Sequence, residues 1–123
     1  MRTNSNVTFN RAKNRIYLYM EGSHDLEEAQ RMYDEYAKAI EQASPGFTVL
    51  IDVENYTPGS DAVQDIHKQA SHLAEENHVG KVARVVGDRP LGGMQIDRIA
   101  KHETRYESRH FTYKEDAEDF LDQ

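Results

Sequence analysis

The hydrophobic positions of this chain fall into short runs typical of strands and into three- and four-residue spacings typical of helices. The longest apolar run covers residues 47–53 and predicts a central strand that is buried on both faces. Residues 7–10 and 15–21 are two shorter β-prone runs, and the polar loop between them predicts a β-hairpin. In its second strand, alternation puts Ile16, Leu18 and Met20 on the core face and Tyr17 and Tyr19 on the other face.

Helical spacing is clearest from residue 26 to about residue 43, where Leu26, Ala29, Tyr33, Tyr36, Ala37, Ile40 and Ala43 form one stripe. Asp25, with Glu28 three residues later, is close to a capping box at the start of this helix. A second helix is predicted from Ser60, as its N-cap, to about residue 77. Residues 94–104 predict a third helix and residues 114–121 a short last one.

Two further strands are predicted at residues 79–87 and 109–113. The predicted order is therefore a hairpin followed by helices that alternate with single strands. Such alternation is typical of an α/β fold with a mixed, mainly parallel sheet and helices packed against it. A length of 123 residues suits one domain, which we expect to span residues 1–123.

The charge of the chain argues against a nucleic-acid partner, since 22 acidic residues outnumber 15 Lys and Arg. The sign reverses between residues 81 and 109, so this part of the chain forms either a locally basic surface or helix faces whose charges balance one another. It contains Lys81, Arg84, Arg89, Arg98, Lys101, Arg105 and Arg109. The chain has no cysteine, no signal-peptide pattern and no apolar run near the roughly 20 residues of a membrane span. We therefore expect a cytoplasmic protein without an integral membrane segment.

Three features of the chain resemble one fold family. The hairpin precedes the first helix, residues 48–52 form a strand that ends in Asp52, and residues 109–121 place an aromatic strand before an acidic helix that ends in Phe120 and Leu121. Together they resemble the STAS fold (sulfate transporter and anti-sigma factor antagonist), and most closely the SpoIIAA-like proteins, also described as STAS/SEC14-like. The resemblance covers nearly the whole chain and implies a single STAS-like domain.

The resemblance also implies a regulatory position in the loop after the central strand. In the anti-sigma factor antagonists this loop carries Asp-Ser, a small residue and Gly, and a partner kinase phosphorylates the serine. Here Ser60 lies at a comparable helix start, but residues 58–62 read Pro-Gly-Ser-Asp-Ala, without that order. Ser60 is therefore either a phosphoacceptor or, more simply, an N-cap whose hydroxyl accepts a backbone N–H.

The six histidines do not have the spacing of a metal site. His67 and His72 are five residues apart on one predicted helix, so they diverge by about 140°. The other histidines are scattered at the ends of elements: His24, His78, His102 and His110. We predict no metal and no cofactor, although histidines distant in sequence could still meet in the fold. The nucleophile turn of a serine hydrolase, Gly-x-Ser-x-Gly, would need a second glycine after Ser60, which this chain lacks.

The predicted function is that of a non-enzymatic regulatory or binding module. It would bind a protein partner or a small anionic or apolar ligand through residues 56–60 and 87–94, the loops that follow the central strands. Gly92 and Gly93 precede a predicted helix and lie close to Arg89. This arrangement indicates either an anion site or a flexible connection between strand and helix. The predicted site residues are Tyr56, Ser60, Asp61, Arg89, Gly92 and Gly93.

Two other functions remain open from the sequence. One is a carrier of a lipid or other apolar ligand, with Tyr17 and Tyr19 lining a cleft. The other, less favoured, is a small hydrolase that uses Ser60 or a histidine. A homodimer through the hairpin edge or the tyrosine face is compatible with all three functions.

Overall fold

The structure is a computed structural model that describes residues 2–87 and 106–123. These residues form five strands and three helices. In chain order they are β1 (Asn6–Asn10), β2 (Arg15–Ser23), α1 (Leu26–Gln42), β3 (Thr48–Thr57), α2 (Asp61–Glu76), β4 (Lys81–Val85), β5 (Glu107–Phe111) and α3 (Lys114–Asp122).

The five strands form one mixed sheet in the order β1-β2-β3-β4-β5. β1 and β2 are the predicted antiparallel hairpin, and the strands from β2 to β5 run parallel to one another. Leu18, Ile51 and Arg84 are register partners across the three middle strands, so they lie side by side on one face. The prediction of a mixed, mainly parallel α/β sheet is confirmed.

Helices cover both faces of the sheet. Helices α1 and α2 pack together on one face, with Val49, Val82 and Ile40 in the shared core. Helix α3 covers the other face, where Leu50 meets Phe120. Val49 and Leu50 are 0% and 1% exposed although they point to opposite layers, which confirms that β3 is the doubly buried central strand.

The two faces of β2 also agree with the prediction. Ile16, Leu18 and Met20 are buried under α1 and α2. On the opposite face the hydroxyl of Tyr17 donates to Glu118 of α3 at 3.0 Å. Arg15, which is 3% exposed, forms ion pairs with Glu118 and with Asp122 of the same helix. Helix α3 therefore packs against the sheet through polar contacts as well as apolar ones.

The predicted stripe of α1 is partly wrong. Leu26 is 53% exposed, whereas Met32 and Ala39, which the stripe left out, are buried. Met32 belongs to the core cluster that contains Val53 and Tyr56, and Ala39 belongs to the larger cluster around Val49. The buried face is shifted because α1 packs against α2 as well as against the sheet.

Strand β3 is longer than predicted, and this corrects the loop predicted at residues 56–60. The ladder with β2 continues past a bulge between Tyr19 and Glu21, and it pairs Gly22 with Tyr56 and Ser23 with Thr57. Because β2 itself extends to Ser23, β3 keeps a partner as far as Thr57. The loop is reduced to residues 58–60, and Tyr56 lies inside a strand.

Several predictions fall on residues that the structure does not describe. They are the third helix at residues 94–104 and the residues Arg89, Gly92, Gly93 and His102. Among the residues that are described, no helix has the length and apolarity needed to cross a membrane.

Candidate functional site

The predicted site residues around the end of β3 do not converge. Ser60 is the N-cap of α2, and its Oγ accepts the N–H of Val63 at 3.3 Å. Ser60 and Asp61 are exposed at this helix start, whereas Tyr56 is 1% exposed and points into the core. The turn before them is tight, since a Cβ at Gly59 would lie 2.9 Å from the carbonyl oxygen of His24.

We expect Ser60→Ala to lower the free energy of unfolding by about 1 kcal/mol, because it removes the cap of α2. Ser60→Asp should retain most of the stability, since aspartate caps helices as well as serine does. Urea unfolding of both variants, with the exposed Ser44→Ala as control, measures the difference. Equal stability of Ser60→Ala and the unmodified protein would contradict a capping role.

Tyr56 instead joins two histidines in the interior. Its Oη lies 2.7 Å from Nε2 of His67 on α2, and its ring meets the edge of His24 with 4.8 Å between centroids. Burial, with a smaller contribution from His24, lowers the pKa of His67 to about 4. Burial also raises the pKa of Tyr56. Both groups are therefore neutral at physiological pH, and the bond joins a phenol to a neutral imidazole.

His24 contacts a serine, but the pair lacks the features of a hydrolase. Its Nε2 lies 2.9 Å from Oγ of Ser5, which also accepts the N–H of Glu21. Ser5 is 3% exposed, and Nδ1 of His24 is buried with no hydrogen-bond partner in the described part of the chain. A catalytic histidine needs an acid that orients this nitrogen and a serine that substrate can reach. The contact is better explained as part of the packing of the N-terminal segment.

A cavity of about 60 Å³ lies between the sheet and helices α1 and α2. One water needs a space of roughly 10–15 Å³, so this cavity has room for a few waters or a small organic group. Most of its wall is apolar, and its polar side chains are a histidine, a serine, an arginine and two tyrosines. The lining residues are Leu18, Met20, Tyr36, Ile51, His67, Ala70, Ser71, Val82, Arg84 and Tyr106.

Arg84 is the unusual member of this wall. It is 1% exposed, and its Nη1 donates to Oγ of Ser108 on β5. Within residues 2–87 and 106–123, its buried Nε has no hydrogen-bond partner and its guanidinium group forms no ion pair. A guanidinium group keeps its charge at physiological pH, and a buried charge without a partner costs several kcal/mol.

The alternation of β4 explains why Arg84 points inward. Val82 and Arg84 face α1 and α2, while Ala83 and Val85 face α3. The sequence interpretation placed Arg84 either on a basic surface or on solvated helix faces with balancing charges, and for this buried residue both alternatives were wrong. The signal was present, because Arg84 interrupts an otherwise apolar strand at a position that alternation puts on the same face as Val82.

A metal site is not found among the residues that the structure describes, where no three His, Asp or Glu side chains are grouped to hold an ion. Within the same residues, the histidines that do approach each other are linked through Tyr56. Tyr56 is hydrogen-bonded to His67 and contacts His24 ring to edge, an arrangement that does not resemble a set of metal ligands.

Comparison with known proteins agrees on the fold. No protein-family model matches the chain, and no curated protein matches it in sequence. Among solved structures, an uncharacterised protein of the DUF3478 family from Shewanella loihica PV-4, with a SpoIIAA-like fold, aligns with a TM-score of 0.74 at 19% identity. That alignment covers 95% of this chain and 93% of the other.

The unphosphorylated form of the anti-sigma factor antagonist SpoIIAA aligns with a TM-score of 0.68 at 11% identity, covering 96% of this chain and 97% of that one. The chain therefore has the SpoIIAA-like fold. The predicted STAS-like architecture is thereby confirmed over nearly the whole chain. At these identities the SpoIIAA-like fold itself is what the proteins share, so the function has to be argued from this chain's own side chains.

Proposed function

We propose that this SpoIIAA-like domain is a non-enzymatic binding module that holds a small anionic ligand in the cavity between the sheet and helices α1 and α2. The observation that carries the proposal is Arg84, a buried cation that lines this cavity and whose Nε has no partner among the described residues. Buried charges in proteins are normally paired. A bound anion would supply the missing partner.

The rest of the lining favours the same ligand. The hydroxyls of Tyr36, Ser71 and Tyr106 are hydrogen-bond donors, and none of the described lining residues is acidic. This is notable in a chain with 22 acidic residues. Burial raises the pKa of Tyr36, so its hydroxyl keeps its proton and remains a donor. An anion would therefore meet donors and no repelling carboxylate from this lining.

This site differs from the surface loops predicted from the sequence. It is built by side chains from the middle of the sheet, whereas Ser60 and Asp61 lie at the exposed start of α2. A protein partner, phosphorylation of Ser60, a homodimer and a cytoplasmic location remain predictions. The carrier alternative stays a separate prediction, because Tyr17 and Tyr19 line an open groove of about 520 Å³ on the other face of the sheet. The cavity at Arg84, at about 60 Å³, is too small for a lipid with two acyl chains.

Thermal unfolding in the presence of small anions tests the proposal. Butanoate at 100 times its Kd should stabilise the protein by about 2.7 kcal/mol, which is several degrees in Tm. Butanamide has a similar shape without the charge and should give no shift. The proposal fails if no anion in a panel of butanoate, benzoate, phosphate and sulfate raises Tm, or if butanoate and butanamide act alike.

A further inference from the structure

We infer that the ligand is a monocarboxylate with a short apolar chain, whose carboxylate binds Arg84 and whose chain extends between helices α1 and α2. This inference rests on the proposed function and names the chemical class of its ligand. The head region is the cavity at Arg84, and the tail region is a second, smaller cavity beside it, called the lobe below.

The head region fits a planar group with one negative charge. Ser108 engages Nη1 of Arg84, which leaves the edge formed by Nε and Nη2 without an acceptor among the described residues. That edge presents two parallel N–H groups, the geometry that binds both oxygens of a carboxylate. One guanidinium neutralises one charge, so a phosphate or dicarboxylate dianion would bring an unpaired charge into a mostly apolar wall.

The lobe has a volume of about 30 Å³. It shares Leu18, Met20, Tyr36, His67 and Ala70 with the head cavity. Its remaining lining residues come from helices α1 and α2 and are Ala29, Met32, Tyr33 and Ile66.

The lobe has the properties of a site for a few methylene groups. Most of its lining side chains are apolar, and Met20 and Met32 are unbranched and can adjust to a chain of variable length. Its volume is about half that of the head cavity, so the chain it accepts is short. A polar or branched tail would not be matched by this lining.

Isothermal titration calorimetry with acetate, butanoate, hexanoate and dodecanoate, at one pH and ionic strength, tests the inference. Each added methylene should strengthen binding by about fourfold until the lobe is filled. We therefore expect hexanoate to bind more tightly than acetate and dodecanoate to lose that gain. Phosphate and succinate should bind more weakly than hexanoate.

Two substitutions at Ile66, which lines only the tail lobe and is partly buried on α2, sharpen the experiment. Ile66→Phe fills the lobe and should reduce the ratio of the hexanoate and acetate affinities toward one. Ile66→Ala enlarges it and should move the optimum to a longer chain. Exposed Ala62→Leu on the same helix is the matched control and should leave the series unchanged.

The possible failures are distinguishable. Binding that needs Arg84 but does not depend on chain length, or that is tighter for phosphate or succinate, overturns the inference and leaves the proposed function standing. If the order of carboxylate affinities is unchanged in both Ile66 variants, each shown to be folded by circular dichroism, the apolar chain of the ligand does not occupy the lobe. That result also overturns the inference. Absence of binding by every anion in the series overturns both.

Discussion

Arg84→Met is expected to abolish anion binding and, at the same time, to stabilise the ligand-free protein. Methionine has a similar length and no charge, so it fills the same space without a buried, unpaired cation. Replacing buried charges by apolar residues of similar volume is often neutral or stabilising by about 1–4 kcal/mol. Removing one partner of a buried hydrogen-bonded charge pair typically costs about 2–5 kcal/mol of binding, which is at least a 30-fold loss.

The two effects are measured by urea unfolding without ligand and by calorimetry with butanoate. Arg109→Met is the matched control, since Arg109 lies on the neighbouring strand and its side chain is 63% exposed. That control should change neither quantity by much. A strongly destabilised Arg84→Met protein would show that Arg84 is paired in the ligand-free state, and unchanged butanoate binding would show that the anion sits elsewhere.

The second large effect is the loss of stability in acid through Glu28. The carboxylate of Glu28 is 2% exposed. It accepts a hydrogen bond from Nε of Arg31 at 2.6 Å and another from the backbone N–H of Thr3 at 2.7 Å. The bond from Arg31 is the main cause that lowers the pKa of Glu28 from 4.5 to about 2. The stabilisation is therefore complete above pH 4.5 and is lost as the pH falls toward 2.

The size of this effect follows from the shift in pKa at about 1.4 kcal/mol per unit, which gives about 3 kcal/mol for Glu28 alone. Urea unfolding between pH 7 and pH 2.5 should show a shallower decline for Glu28→Gln than for the unmodified protein. Glu27→Gln changes an exposed carboxylate in the same helical turn and should keep the steeper decline. Equal slopes for both variants would mean that Glu28 does not form this bond in solution.

Much of the fold could be predicted because it depends on periodicity. The doubly buried run at Val49 and Leu50, the alternation of β2 and the cap at Ser60 are local patterns, and each occurs where the sequence puts it. Strand ends depend on the neighbour. β3 continues to Thr57 because β2 extends beside it. The sequence of residues 54–57 contains no pattern that indicates this pairing with β2.

The candidate site was not predicted, for a related reason. Spacing along α2 compares His67 with His72, whereas the hydrogen-bond partner of His67 is Tyr56 on a strand. Counting charges treats Arg84 as part of a basic segment, whereas its effect depends on the face of β4 that it occupies. Tertiary contacts of this kind have no sequence period. The predicted anion site at Arg89, Gly92 and Gly93 lies outside the described residues.

The central claim is that Arg84 holds an anion, and the most direct measurement is the NMR signal of its own Nε–H group. A ¹H–¹⁵N spectrum selective for arginine side chains gives this signal, which is assigned by its absence in Arg84→Met. During titration with hexanoate we expect the Arg84 Nε–H peak to shift saturably, with the Kd found by calorimetry, as that N–H gains its acceptor. If the Arg84 peak stays in place while hexanoate binds, the anion is held elsewhere and the account is wrong.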